Sequence, residues 1–130
     1  MIILDTHIWI WWVHDEARLT SEQLQTIHDN EAQGLGISAI SCWEVAKLVE
    51  KKRLLLPIDL DQWFELALSY PGVQVISITP EVAIRSTRFP VEFSQDPADQ
   101  LIAATALVNN CPLVTSDSKL RDYDQLVTVY

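Results

Sequence analysis

The chain begins Met1-Ile2-Ile3-Leu4-Asp5-Thr6-His7, a stretch in which a short apolar run ends at an acid. Such a run predicts a buried β-strand. The next residues, 6–13, leave hardly any polar face and predict a helix that is either fully buried or packed on the core with one side free for a partner. A strand is therefore followed directly by a helix at the start of the chain.

The same alternation continues to the other end of the sequence. Thr20 with Gln23, and Ser41 with Glu44, each predict a capping box that opens a helix. Further helices are predicted at 59–70, 79–89 and 99–110, and further strands at 35–38, 73–78, 112–115 and 126–130. Short apolar strands between helices predict an α/β fold with a central, mostly parallel sheet of four to five short strands, covered by helices on both faces.

Length and composition favour one domain that spans residues 1–130. Hydrophobic residues make up 48% of the chain and charged residues 21%, which is enough apolar surface for a folded core. Asp5 interrupts the first apolar stretch, so we expect neither a secretory signal nor a membrane span, and hence a cytoplasmic protein. Cys42 and Cys111 lack paired spacing and are expected to be free thiols.

The charge balance narrows the possible functions. There are 18 acidic and 9 basic residues, which give a net charge of −9. This charge argues against a protein that coats nucleic acid through bulk attraction. The same excess of carboxylates could supply a Mg²⁺ or Mn²⁺ site.

Four acids stand where a site would be expected. Asp5 and Asp117 each follow a predicted strand, and ligands of open α/β sheets bind beyond the carboxyl ends of the strands. Glu44 and Asp99 lie in the first turns of predicted helices. Each acid also has a structural explanation, since Asp96 and Asp117 can cap helices and Asp99 favours the positive end of a helix dipole. Converging together, however, the four would require a divalent cation.

Four segments in order make the chain resemble the PIN-domain ribonucleases, and among them the VapC-type toxins of bacterial toxin–antitoxin pairs. The segments are Ile3-Leu4-Asp5-Thr6-His7 with the Trp-rich helix, Ile40-Ser41-Cys42-Trp43-Glu44-Val45-Ala46, Asp96-Pro97-Ala98-Asp99-Gln100-Leu101-Ile102-Ala103-Ala104-Thr105-Ala106, and Leu113-Val114-Thr115-Ser116-Asp117. The resemblance runs over the whole length. It departs from the family at Gln100, where relatives usually carry Arg.

The resemblance implies a PIN-like three-layer fold and a Mg²⁺- or Mn²⁺-dependent endoribonuclease, a hydrolase that leaves 5′-phosphate and 3′-hydroxyl ends. It implies that the catalytic and metal-binding quartet is Asp5, Glu44, Asp99 and Asp117, with Asp96 as an auxiliary metal ligand and Thr115 as a supporting residue. The implied substrate is tRNA or another structured RNA. The implied partners are a cognate VapB-type antitoxin and a second copy of the chain.

Two surfaces are candidates for contact with these partners. Lys47, Lys51, Lys52 and Arg53 concentrate positive charge near the end of one helix, where they would either bind RNA phosphates or complement the helix dipole. Trp9, Trp11 and Trp12 crowd the helix after Asp5, and Trp can anchor an interface or pack in a core. Core packing is the commoner role, and the three residues are candidates for the homodimer face and the antitoxin groove that the resemblance implies.

Two other functions would account for part of this pattern. A response-regulator receiver or a haloacid-dehalogenase-type phosphatase also has an Asp after its first strand, but a dehalogenase needs a second Asp at the position held here by His7. The alternative function is a catalytically silent PIN-like scaffold that binds an antitoxin or RNA. Such a scaffold has no evident need for a carboxylate cluster.

Overall fold

Strands and helices alternate throughout residues 1–130, all of which the computed structural model describes. In chain order the elements are β1 (Ile2–Leu4), α1 (Thr6–His14), α2 (Ser21–Asn30), β2 (Leu35–Ser38), α3 (Ala39–Glu50), α4 (Leu60–Ala67), β3 (Val73–Ile76), α5 (Pro80–Ser86), α6 (Pro97–Val108), β4 (Leu113–Val114), α7 (Ser118–Arg121) and β5 (Thr128–Val129). A 3₁₀ turn at Glu16–Arg18 joins α1 to α2. No helix has the length and apolar character needed to cross a membrane.

The five strands form one parallel sheet in the order β3-β2-β1-β4-β5. β1 is central, with Ile3 paired with Gly36 of β2 on one side and with Leu113 of β4 on the other. The chain leaves β1 toward β2 and β3 and later returns to place β4 on the opposite side. This change of direction creates a crevice at the carboxyl ends of β1 and β4. The predicted α/β class and parallel sheet are confirmed.

Apolar packing covers both faces of the sheet. Ile2 and Leu4 belong to one core cluster, which includes Trp9 and Trp63. Ile3 points to the other face and belongs to a second cluster with Ile102 of α6. Because successive side chains of a strand point to opposite faces, a strand buried on both sides must be apolar at every position, as β1 is.

Helix starts follow the predicted caps in most places. The Thr20–Gln23 capping box is present, and Thr79 and Asp96 cap α5 and α6 immediately before a proline. The predicted Ser41–Glu44 capping box is wrong. Ser38, at the end of β2, accepts a hydrogen bond from the backbone N–H of Ile40, so α3 begins earlier and Ser41 lies inside the helix.

The Trp-rich helix α1 packs largely into the core. Trp9 is fully buried, and its ring centroid lies 5.0 Å from that of Trp63. Of the two roles open to Trp9, the structure shows packing in the core, and the candidate interface role is wrong for this residue. The apolar face of α4 supplies Trp63 as a large partner for Trp9. Trp11 and Trp12 remain half-buried at the edge of this cluster.

Candidate active site

Five carboxylates from four separate segments line one cavity of about 450 Å³ at the carboxyl end of the sheet. They are Asp5 after β1, Glu44 in α3, Asp96 and Asp99 at the start of α6, and Asp117 after β4. The crevice between β1 and β4 thus brings together all the acids for which the sequence predicted a shared site. His7, Trp11, Ser116 and Lys119 line the same cavity.

Asp5 and Asp117 are connected through the hydroxyl of Thr115. The Thr115 Oγ1 donates to Asp5 Oδ2 at 2.7 Å and accepts from the backbone N–H of Asp117 at 3.0 Å. The other Asp5 oxygen accepts from the backbone N–H of Thr6 at 2.9 Å. Asp5 is therefore held at both carboxylate oxygens, while Asp117 uses one oxygen to cap α7 through the N–H of Lys119.

Glu44 is held by a short chain of hydroxyl groups. Thr6 Oγ1 donates to Glu44 Oε1 at 2.5 Å and lies 2.8 Å from Ser41 Oγ. Thr6 and Ser41 are both buried, so their positions are determined by the packing of α1 against α3. The second oxygen of Glu44 makes no hydrogen bond within the chain and remains available to a ligand.

Asp99 is held by the turn that precedes α6. The buried Ser94 Oγ donates to Asp99 Oδ2 at 2.7 Å, and Asp96 Oδ1 accepts from the backbone N–H groups of Ala98 and Asp99. Gln100 donates from Nε2 to the carbonyl oxygen of Ser94 at 2.9 Å. Gln100 thus helps to position the turn that holds Asp99.

The site disfavours ionisation of its own acids. Burial is the main cause that raises the pKa of Glu44 to about 7, and the neighbouring charges of Asp5, Asp96 and Asp99 raise it further. Burial, followed by the charges of neighbouring acids, raises the pKa of Asp99 to about 6. Burial also raises the pKa of Asp5, against the hydrogen bond from Thr115. Negative charge is therefore concentrated here at an energetic disadvantage.

Basic side chains do not neutralise this cluster. The two ion pairs of the molecule are Lys47–Glu50 and Arg121–Asp122, and neither includes a carboxylate of the cavity. Lys119 lines the cavity without forming an ion pair there. A group of acids without a basic partner calls for a cation from outside the chain.

The donor chemistry of the cavity fits a hard divalent cation, because carboxylate oxygens are the ligands that Mg²⁺ prefers. The acids do not, however, converge on one point. No three of the His, Cys, Asp and Glu side chains are placed together closely enough to hold one ion. Three of the acids accept hydrogen bonds from hydroxyl groups, and the like charges repel one another. The residues that could hold a metal are those predicted: Asp5, Glu44, Asp96, Asp99 and Asp117.

Several residues of the site were missed by sequence reasoning. Ser94, Thr6 and Ser41 position two of the acids, and Lys119 lines the cavity. The position of Lys119, two residues after Asp117, was the available signal. No pattern in the sequence predicts the role of Ser94, because its contact with Asp99 depends on the path of an irregular turn.

The predicted contact residues occupy separate surfaces. Trp11 lines the carboxylate cavity, whereas Trp12 lines another cavity of about 470 Å³ together with Glu16 and Glu31. Lys47 is half-buried within α3, and Lys51, Lys52 and Arg53 are exposed immediately after that helix. The basic residues thus follow the helix that supplies Glu44.

Comparison with known proteins gives consistent results. Residues 2–126 match the family model of the PIN domain. The chain is 37% identical over 122 residues to Ribonuclease VapC22 of Mycobacterium tuberculosis, covering 94% of this chain and 91% of the relative. A toxin–antitoxin complex from Klebsiella pneumoniae has a similar structure, with a TM-score of 0.67 and 26% identity over 100% of this chain and 98% of the other. VapBC2 from Rickettsia felis, solved with promoter DNA, gives a TM-score of 0.70 at 18% identity over 99% and 98% of the chains.

Proposed function

The chain belongs to the PIN-domain family as a VapC-type ribonuclease of a toxin–antitoxin system, and from this premise we propose that it is a Mg²⁺- or Mn²⁺-dependent endoribonuclease inhibited by a cognate VapB-type antitoxin. We propose tRNA or another structured RNA as its substrate. The products would carry 5′-phosphate and 3′-hydroxyl ends.

One observation supports this proposal above the others. Asp5, Glu44, Asp99 and Asp117 line one cavity, and none of them is paired with a basic side chain. Burial and mutual repulsion raise the pKa values of Glu44 and Asp99. A scaffold that only binds a partner gains nothing from this arrangement, whereas a metal-dependent hydrolase needs it.

The carboxylates would together hold the metal ion and orient the RNA phosphate. Asp5 would be the most firmly positioned of them, because Thr115 and the backbone of Thr6 each donate to one of its oxygens. Glu44 and Asp99 would each present the oxygen that their serine or threonine partner leaves free. A bound Mg²⁺ or Mn²⁺ would stabilise charge on the scissile phosphate and lower the pKa of the attacking water. We assign the role of general base to no side chain.

The basic end of α3 is the proposed path for the RNA backbone. Lys51, Lys52 and Arg53 are exposed and form no ion pair, so their charges are available to phosphates. Glu44 lies seven residues before Lys51, a span of about 10 Å along a helix. The positive groups therefore lie close enough to the carboxylates to hold a strand whose phosphate reaches them.

The half-buried indoles of α1 are the proposed contact for the antitoxin. Trp12 lines a cavity with Glu16 and Glu31, which favours a basic partner segment, and Trp11 adjoins the carboxylates. We expect Trp11→Ala and Trp12→Ala to weaken assembly, measured as affinity for the antitoxin and as sedimentation of the proposed homodimer. Unchanged values in both variants would contradict this assignment.

The decisive experiment uses protein free of antitoxin. Purified chain is incubated with total cellular RNA and Mg²⁺ or Mn²⁺, beside an EDTA control and the Asp99→Asn variant. We expect discrete fragments that require both the metal and Asp99, because Asn retains the shape of the side chain but not its charge. Fragment ends then identify the cleaved RNA.

The alternatives predict different results. If wild-type protein binds Mg²⁺ but cuts no RNA, total RNA lacks the substrate and the proposed substrate class is wrong. If it neither cuts nor binds metal, the scaffold function is favoured. Circular dichroism of the Asp99→Asn variant provides the control for folding.

A further inference from the structure

A second cavity, of about 490 Å³, adjoins the carboxylate cavity along α3. Its lining includes Ile40, Trp43, Ile78 and Pro97, and two of its residues, Glu44 and Asp96, also line the catalytic cavity. The two cavities therefore share a wall. A molecule whose phosphate lies at the carboxylates would place its adjacent group in this second, mainly apolar cavity.

Trp43 is the unusual residue of this cavity. Its side chain is 55% exposed, whereas Trp9 and Trp63 are buried in the core and Trp11 and Trp12 are half-buried. An indole left this exposed on a helix contributes little to the core. Its flat π-face is suited to stacking, and every nucleobase offers a complementary face.

Positive charge lies on the same face of α3. Lys47 Nζ is 5.9 Å from the centroid of the Trp43 ring, and Lys51 follows four residues later. Residues four apart lie on the same side of a helix, so Lys51 follows Trp43 and Lys47 along one face. Lys47 is paired with Glu50 at 3.0 Å, whereas Lys51 forms no ion pair. This face therefore combines a base-sized apolar platform with the unpaired charge of Lys51, which can attract a phosphate.

We propose that Trp43 stacks on the base next to the scissile phosphate, with Lys51 holding the backbone beyond it. This inference rests on the proposed ribonuclease function and assigns a base-stacking residue to its site. Trp43 is then a substrate-positioning residue of the site.

A second copy of the chain fits this cavity less well. Glu44 and Asp96 line it, so self-association through it would bring four carboxylates together at one interface. An RNA strand would place a neutral base on the indole and its charge near Lys51, which forms no ion pair. The distribution of charge thus favours the nucleic acid over the second copy.

The test compares two short strands of equal length and charge. One is fluorescein-labelled oligoadenylate, and the other has tetrahydrofuran spacers in place of the bases. Binding is measured with excess Mg²⁺ in the Asp99→Asn background, where RNA is not cut. Trp43→Leu retains an apolar side chain but removes the stacking face, Trp43→Phe restores an aromatic ring, and Val127→Ala is the control at an exposed apolar position elsewhere.

We expect Trp43→Leu to weaken binding of oligoadenylate by about tenfold, the lower part of the range for loss of one stacked base. Binding of the abasic strand should not change, and Trp43→Phe should recover most of the loss. Equal weakening of both strands, or no weakening, would overturn the proposal. A changed sedimentation coefficient in Trp43→Leu would also overturn it and would favour a contact between copies.

The proposed function and this inference fail in different ways. The strand comparison measures binding and is independent of cleavage, so it decides the role of Trp43 even if wild-type protein cuts no RNA. If wild-type protein does cut RNA, Trp43→Leu should raise KM and leave kcat within about twofold, since stacking holds the substrate before and during reaction.

Discussion

The carboxylate cavity and the neighbouring aromatic cluster of Phe89, Phe93 and Tyr123 differ in how their charged groups are partnered. In the aromatic cluster, the guanidinium group of Arg85 lies 4.7 Å from the centroid of Phe89 and donates to the hydroxyl of Tyr123 at 2.9 Å. Phe93 stacks on Phe89 and completes the cluster. One residue further on, Ser94 holds Asp99, which has no basic partner.

The difference shows how to separate structural from functional charge in this molecule. Arg85 contacts Phe89 and Tyr123, so the fold itself provides partners for its charge. The acids of the cavity receive hydrogen bonds from neutral groups only, and burial raises the pKa values of three of them. Buried charge that the fold leaves without an opposite partner is the pattern expected of a ligand site.

The largest expected effect is the loss of activity in Asp5→Asn. This substitution retains the shape of the side chain at the centre of the crevice and removes its charge. We expect RNA cleavage to fall by about 10²-fold or more, since metal-assisted stabilisation of the transition state is worth several kcal/mol. The readout is the initial rate on total RNA with Mg²⁺. Asp61→Asn, in the first turn of α4, is the matched control; equal activity in Asp5→Asn and Asp61→Asn would contradict the assignment.

The second effect is a dependence of stability on pH. Because the pKa of Glu44 in the folded protein is raised to about 7 from an ordinary value of 4.5, the folded state binds more protons than the unfolded state between these values. Stability of the metal-free protein should therefore fall as pH rises through this range. We expect Glu44→Gln to be about 1–3 kcal/mol more stable than wild type above pH 7.

Thermal unfolding in EDTA, followed by circular dichroism between about pH 4.5 and pH 7.5, measures this effect. Glu44→Gln should flatten the pH profile and abolish cleavage, and Mg²⁺ should raise the melting temperature of wild type most at the alkaline end. A wild-type melting temperature that rises with pH in EDTA would show that the acids are not destabilising.

The third effect concerns the aromatic cluster around Arg85. Tyr123→Phe removes the hydroxyl that accepts from Arg85 and retains the aromatic ring. We expect a loss of about 1 kcal/mol in the free energy of unfolding by urea, below the ~1.5–3 kcal/mol typical of hydrogen bonds to charged groups because this one is only partly buried, with no change in RNA cleavage. Arg88→Gln is the control, since Arg88 is exposed nearby. A large loss of activity with unchanged stability would place this cluster in the catalytic machinery.

The smallest effect tests the basic end of α3. Lys51→Gln should weaken RNA binding slightly and reduce the slope of log K against log salt by about 0.7, the value for one phosphate contact on a single strand. Fluorescence anisotropy over a range of salt concentrations measures the slope. An identical change in Arg88→Gln would indicate that total charge, and not the α3 surface, determines binding.

Much of the fold could be predicted because its signals are local. The apolar run Ile2–Leu4 needs burial on both faces, and Thr79 and Asp96 cap helices with residues adjacent to them. The start of α3 was misplaced because both Ser38 and Ser41 are suitable caps. Only the end of β2 determines that Ser38 is used.

The candidate acids could also be identified, since strand ends and helix starts are visible in the residue pattern. Their supporting groups could not be identified in the same way. Thr6 is 38 residues from Glu44, and Thr115 is 110 residues from Asp5. Trp9 and Trp43 show the same limit, because both belong to apolar segments and only packing determines which of them is buried.

The sequence alone predicted the alternation of strands and helices, the family resemblance and the set of acids. Each of these depends on residues within a few positions of one another. Three-dimensional packing was needed for the rest. It placed β4 beside β1, joined Asp5 to Asp117 through one hydroxyl and left Trp43 exposed beside the carboxylates. The physical reason is that hydrogen bonding, burial and charge repulsion depend on distance in space, which the chain sets only when its distant segments meet.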